Sequence, residues 1–131
     1  MTILIVDDDA GIRQLLLLFL EHKGYTAKSV TNGREALDLL QPDQPLPQLI
    51  LLDLMMPIMD GASFRQAQLS DPRMAAIPVV VLSAAENIEA QAPLLTADAY
   101  VPKPIEFDSL LQIVEQHCQR SRELGMPTSN D

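Results

Sequence analysis

The chain has 131 residues, 47% of them hydrophobic, 4% aromatic and none Trp, which excludes a disordered chain and fits one domain with an aliphatic core. Lys and Arg number 9 against 18 Asp and Glu, and the net charge of −9 disfavours direct nucleic acid binding and attraction to anionic lipid. Cys118 is the only cysteine and no apolar stretch has spanning length, so the composition reads as a cytoplasmic protein without a disulfide or membrane insertion.

Thr2-Ile3-Leu4-Ile5-Val6 is an apolar run without alternation, the pattern of a strand buried on both faces, and it ends in Asp7-Asp8-Asp9. Ile12, Leu15, Leu16 and Phe19 then recur at helical spacing, with Asp9 as the N-cap and Gly24 as the stop. Tyr25 to Val30 is a shorter, more polar strand suited to a sheet edge. Asn32 followed by Glu35 gives a capping-box start to a second helix, which ends before Pro42. Pro42, Pro45 and Pro47 stiffen the next connection.

Gln48 to Leu52 forms a third apolar run that closes on Asp53, and Pro57 soon after prevents regular pairing from continuing. A bare carboxylate at the mouth of a buried strand is costly unless charge, metal or hydrogen bonds compensate it. A helix is expected from about Ala62 to the stop at Ser70-Asp71-Pro72, and Val79 to Leu82 is a fourth strand ending at Ser83. Glu86 to Leu95 is a poor helix candidate, because Pro93 lies inside it and its apolar spacing is irregular. Tyr100-Val101 makes a short last strand before Pro102-Lys103-Pro104. Phe107, Leu110, Leu111, Val114 and Cys118 mark an amphipathic last helix, and Gly125 to Asp131 reads as a frayed tail.

Strands alternating with helical segments predict an α/β fold, a doubly wound five-stranded parallel sheet with helices on both faces. Ligands of such folds sit outside the carboxyl ends of the strands, where the strand order reverses. Asp7, Asp8, Asp53, Ser83 and Lys103 all fall at or just beyond those ends. Three carboxylates brought together either take up protons or hold a cation, and an oxygen-only set suits Mg²⁺ rather than Zn²⁺. Lys103 adds a positive charge and Ser83 a hydroxyl, a pairing suited to a tetrahedral anion. With Mg²⁺ neutralising charge, one carboxylate can attack a phosphoryl group and form an acyl phosphate.

Four motifs in order, Ile5-Val6-Asp7-Asp8-Asp9, Leu51 to Pro57 with Met59-Asp60-Gly61, Val81-Leu82-Ser83-Ala84, and Tyr100-Val101-Pro102-Lys103-Pro104, resemble the CheY-like receiver domain of two-component response regulators. The resemblance runs from about Ile3 to Gln119. It implies a flavodoxin-like strand order 2-1-3-4-5, a receiver domain over residues 1–122 and a flexible tail over 123–131. It further implies that Asp53 is the phosphoacceptor, that Asp8 and Asp53 ligate Mg²⁺, that Asp7 helps directly or through water, and that the Met55 backbone carbonyl completes the protein ligands. Ser83, beside Ala84, would bond a phosphate oxygen and move toward it, Lys103 would pair with the phosphate, and Tyr100 would turn inward as Ser83 moves. The Lys103–Pro104 peptide would be cis. The implied partners are a histidine kinase or histidine phosphotransfer domain as donor and a downstream protein effector. The chain would be a phosphoryl recipient, not a turnover enzyme, and resembles a stand-alone receiver.

Plainer readings stand beside these. Asp9 alone is a cap, Tyr100 suits a half-buried strand position equally well, and His22 and His117 are expected to face solvent. Ile12 and Leu15, with Pro104 and Ile105, are either a docking patch for the donor or simply core. Thr96-Ala97 stands where the family commonly has Gly-Ala, and Met55 and Ala85 offer no side chain to orient a water, so slow loss of the phosphate is expected. The alternative is a pseudo-receiver, an interaction module not controlled by phosphorylation. A Mg²⁺-dependent phosphohydrolase is disfavoured by the lack of a second catalytic acid after Asp53, and a dinucleotide binder by the lack of a Gly-rich loop after the first strand.

Overall fold

The computed structural model describes residues 2–123, so the expected tail lies, apart from Glu123, outside the described residues. Strands β1 (Thr2–Val6), β2 (Thr26–Val30), β3 (Leu49–Leu52), β4 (Val79–Ala84) and β5 (Ala99–Lys103) alternate with helices α1 (Ala10–His22), α2 (Gly33–Leu39), α3 (Gly61–Leu69), α4 (Ala85–Leu95) and α5 (Phe107–Glu123). All strand pairs are parallel and the sheet order is β2-β1-β3-β4-β5, with β2 and β5 at the edges.

The unbroken apolar runs have a simple cause: successive side chains enter two different cores. Ile3, Ile5, Leu49, Leu51, Val80 and Leu82 face Leu16 and Leu20 of α1 and Leu110, Val114 and Cys118 of α5. Leu4, Val6, Ile50, Leu52, Val79 and Val81 face the other way, against Ala36 of α2, Phe64 of α3 and Leu95 of α4. Burying each of these Leu or Ile side chains contributes roughly 2 kcal/mol, and cutting one back to Ala costs about 2 to 5 kcal/mol.

Two expectations are corrected. In α1 the buried positions are Leu16 and Leu20, while Leu15 is 53% exposed and Ile12 only half-buried against the core. The four consecutive leucines 15–18 offer more than one helical phase, and packing under β1 and against Phe107 selects one of them. His117 is half-buried rather than solvent-facing, whereas His22 is exposed.

The larger correction is α4, which is a regular helix despite Pro93. Pro93 falls near its end, where the ring forfeits one N–H donor, and Leu95 beyond it is buried in the core. Thr96 then stops the helix in the left-handed region, φ 48°. The terminal carbonyls are satisfied from outside the helix: Arg65 Nε donates to Leu95 O at 3.0 Å, Arg65 Nη2 to Thr96 O at 2.9 Å, and the Tyr100 hydroxyl to Ala92 O at 3.2 Å. Arg65 is itself held by Gln68 at 2.7 Å, and both are buried.

Candidate functional site

The strand register builds the site. Val6 pairs with Leu52, Leu52 with Val81 and Ala84 with Lys103, so Asp7 and Asp53, just past β1 and β3, and Ser83 and Lys103, in the last residues of β4 and β5, lie at one end of the sheet. Asp53 N–H donates to Val6 O at 2.9 Å and Asp7 N–H to Val30 O at 3.1 Å, which extends the ladder one residue past each strand. The side chains are thereby fixed by backbone before any of them meets another.

Asp7 is 1% exposed, and its polar atoms are engaged. One carboxylate oxygen accepts from Asp9 N–H at 2.9 Å, the other from Lys103 Nζ at 2.9 Å, and its carbonyl accepts from Arg13 Nη1 at 2.8 Å. Asp9 caps α1 through the N–H groups of Gly11 and Ile12. Asp8 is exposed at the rim, and Asp53 is 5% exposed within the mouth. Oxygens of Asp7, Asp8 and Asp53 all lie within 4.8 Å of one another, and Lys103 Nζ is 3.7 Å from Asp53.

Burial and then the charge of Asp7 push the Asp53 carboxyl up to about 6, against the pull of Lys103 and of the Leu54 and Met55 backbone N–H groups. For Lys103, burial disfavours the charge, but the Asp7 hydrogen bond and the charges of Asp7, Asp53 and Asp8 outweigh it and hold the ammonium above its ordinary value. One cation therefore only partly offsets three carboxylates. An all-oxygen set with this surplus of negative charge fits a hard divalent cation such as Mg²⁺. Asp7, Asp8 and Asp53 are the carboxylates that could hold such an ion, with both oxygens of Asp7 also accepting hydrogen bonds.

The loop after Asp53 is tightly closed. Gly61 N–H donates to Leu54 O at 2.9 Å, and a Cβ on Gly61 would lie 2.3 Å from the Asp53 carbonyl oxygen, so only glycine fits. Asp60 caps α3 through Ser63 N–H at 2.8 Å. Gly33 N–H donates to Met59 O at 2.9 Å and ties the loop to the start of α2. Met55, whose carbonyl is the expected ligand, is 56% exposed at this loop's start.

Ser83 is buried inside β4, one residue deeper in the strand than expected, and Ala84 beside it is half-buried. The Lys103–Pro104 peptide is cis, with Pro104 exposed and Ile105 half-buried. Tyr100 is half-buried, and its hydroxyl is engaged at the end of α4, accepting from Ala97 N–H at 3.0 Å as well as donating to Ala92 O. Arg13 and Arg65 were not singled out in the sequence. Each acts on a backbone carbonyl brought near by the tertiary fold, for which no local signal exists.

The family model for the response regulator receiver domain matches residues 3–115. The chain belongs to this family. The receiver domain is 38% identical to the response regulator MprA of Mycolicibacterium vanbaalenii over 112 residues, covering 83% of this chain and 46% of that protein. It is 36% identical to an uncharacterized 14.6 kDa protein of Leptolyngbya boryana, covering 90% of each chain. The signal receiver domain of a histidine kinase from Syntrophus aciditrophicus superposes with a TM-score of 0.81 at 31% identity, covering 88% of each chain. The chain spans about half the length of most of the curated relatives it matches. Among the described residues no helix is long and apolar enough to cross a membrane.

Proposed function

We propose that this receiver domain takes a phosphoryl group from a histidine kinase or histidine phosphotransfer domain onto Asp53 and passes the signal to a protein effector in the cytoplasm. The reading is carried by one observation: three carboxylates converge within 4.8 Å at the carboxyl ends of the strands, with the Lys103 ammonium 3.7 Å from Asp53. A divalent cation held among these carboxylates would offset their surplus negative charge and, together with Lys103, let the site accept a dianionic tetrahedral group.

In this reading an Asp53 oxygen attacks phosphorus and the P–N bond of the phosphohistidine breaks. The leaving imidazole nitrogen keeps the electron pair and takes a proton from solvent. Asp53 is mostly ionised at neutral pH, since its carboxyl titrates near about 6, so the nucleophile is available. Asp7 orients the Lys103 ammonium, which pairs with the phosphoryl oxygens as charge arrives, and the Ser83 hydroxyl donates to another of them. Asp8, Asp53 and the Met55 carbonyl would hold Mg²⁺, with Asp7 helping directly or through water, and the ion would supply the remaining positive charge. Tyr100 and α4 form the face that responds, and the acidic chain works through protein partners rather than by binding nucleic acid itself. The domain is a stoichiometric acceptor, not a turnover enzyme.

Incubation with acetyl phosphate and Mg²⁺, followed by intact-mass measurement of the wild type and Asp53→Asn, tests the assignment. One phosphoryl group on the wild type and none on the variant is expected. Label of equal extent on both removes Asp53 from the role.

A further inference from the structure

Ile58 stands at the tip of the loop that leaves Asp53 and returns to Leu54 through the Gly61 N–H. Its φ is 68°, in the left-handed region. Across it Met59 N–H donates to Pro57 O at 2.7 Å, the i to i+2 bond of a γ-turn whose positive-φ form is rare and strained. A β-branched residue is among the least suited to that conformation. Both flanks hold it there: Met59 packs on Gly33 and accepts its N–H, while Gly61 lies against the Asp53 backbone. Ile58 returns nothing to the core, being 85% exposed.

We propose that Ile58 is a donor-selecting residue, an apolar knob that, with Met55, seats the protein carrying the phosphohistidine. This rests on the reading of Asp53 as phosphoacceptor. The reaction names the occupant: Asp53 is nearly enclosed, so a protein donor must lay its histidine-bearing surface across the strand ends, over this loop. Asp7, Asp8, Asp9 and Asp60 make the mouth acidic, and at a net charge of −9 a second copy of the chain is repelled there. Met55 and Ile58 are the large exposed hydrophobics of the loop, and they offer such a surface uncharged contacts next to Asp53. A small donor such as acetyl phosphate has no need of them.

The wild type is compared with Ile58→Gly and Ile58→Asn, two residues that accept a positive φ, of which Asn adds no freedom to the unfolded chain. Donors are acetyl phosphate and an autophosphorylated histidine kinase core chosen because it labels the wild type. Both variants are expected to melt about 2 to 5 °C higher, to label from acetyl phosphate at the wild-type rate, and to accept phosphate from the kinase about tenfold more slowly. Equal rates from the kinase, or variants that melt lower, overturn the proposal and leave the phosphoacceptor reading standing. A wild type that takes no label from acetyl phosphate overturns that reading and this one with it.

Discussion

The Lys103 ammonium lies 2.9 Å from Asp7 and 3.7 Å from Asp53, so a single cation on β5 joins carboxylates that follow β1 and β3. Removing it leaves two nearly enclosed like charges facing each other. Lys103→Met is therefore expected to destabilise the cation-free protein by about 1 to 2 kcal/mol, the cost of breaking a buried pair moderated by the partial exposure of the lysine. The Asp53 carboxyl, losing a partner that lowers it, is expected to titrate higher still by NMR. An unchanged denaturation midpoint and an unchanged titration would deny Lys103 this role.

Asp53 also sets a pH dependence whose sign is fixed. Its folded carboxyl titrates at about 6, raised from 3.8, so between these values the folded protein holds a proton that the unfolded chain has released. Stability without divalent cation must then fall as pH rises through that window. Asp53→Asn abolishes the slope and is expected to be more stable than the wild type above pH about 6, by about 1 to 2 kcal/mol once screening at the mouth is allowed for. Urea denaturation of both proteins across the window measures it, and a gap that does not widen with pH contradicts the assignment.

Gly61→Ala places a methyl group against the Asp53 carbonyl oxygen and the Leu54 Cα, both backbone atoms that cannot swing aside. A loss of about 2 to 4 kcal/mol is expected, together with a labelling rate from acetyl phosphate reduced more than tenfold as the loop is displaced. Thermal melting and mass spectrometry test the two halves separately.

Arg65→Leu removes three hydrogen bonds at once, taking from the Thr96 carbonyl its Arg65 donor and leaving the Leu95 carbonyl only the Thr96 hydroxyl at 2.7 Å. The expected cost is about 2 kcal/mol, less than the full penalty of three lost bonds because the Leu95 carbonyl keeps a donor and a buried charge is also relieved. Hydrogen exchange should show the loss concentrated at the end of α4, with the Ala97 N–H that Tyr100 holds exchanging faster.

The strands and the acidic cluster were legible because each is written locally. Ile3 to Val6 and Leu49 to Leu52 are apolar throughout since both faces are covered, and Asp7 and Asp53 follow those runs directly. The cap at Asp9 is equally local, and that at Asn32 nearly so, although Glu35 reaches back to Thr31 N–H and not to Asn32. Helix α4 was not legible, because Pro93 argues against it and what sustains its end comes from Arg65 and Tyr100 on other elements. Leu15 was misplaced for a related reason: four leucines in a row leave the phase to tertiary packing. Nor did any pattern mark Ile58, since a positive φ on an isoleucine is imposed by the loop clamped around it.

The central claim is that Asp53 is the nucleophile, and the most direct measurement is reductive trapping. After acetyl phosphate and Mg²⁺, borohydride reduces an acyl phosphate to an alcohol, and peptide mapping then reads which carboxylate was modified. The account predicts homoserine at position 53 alone, lost when Mg²⁺ is chelated. Trapping at Asp7 or Asp8 instead, or none at any carboxylate of a protein that carries phosphate, would contradict it.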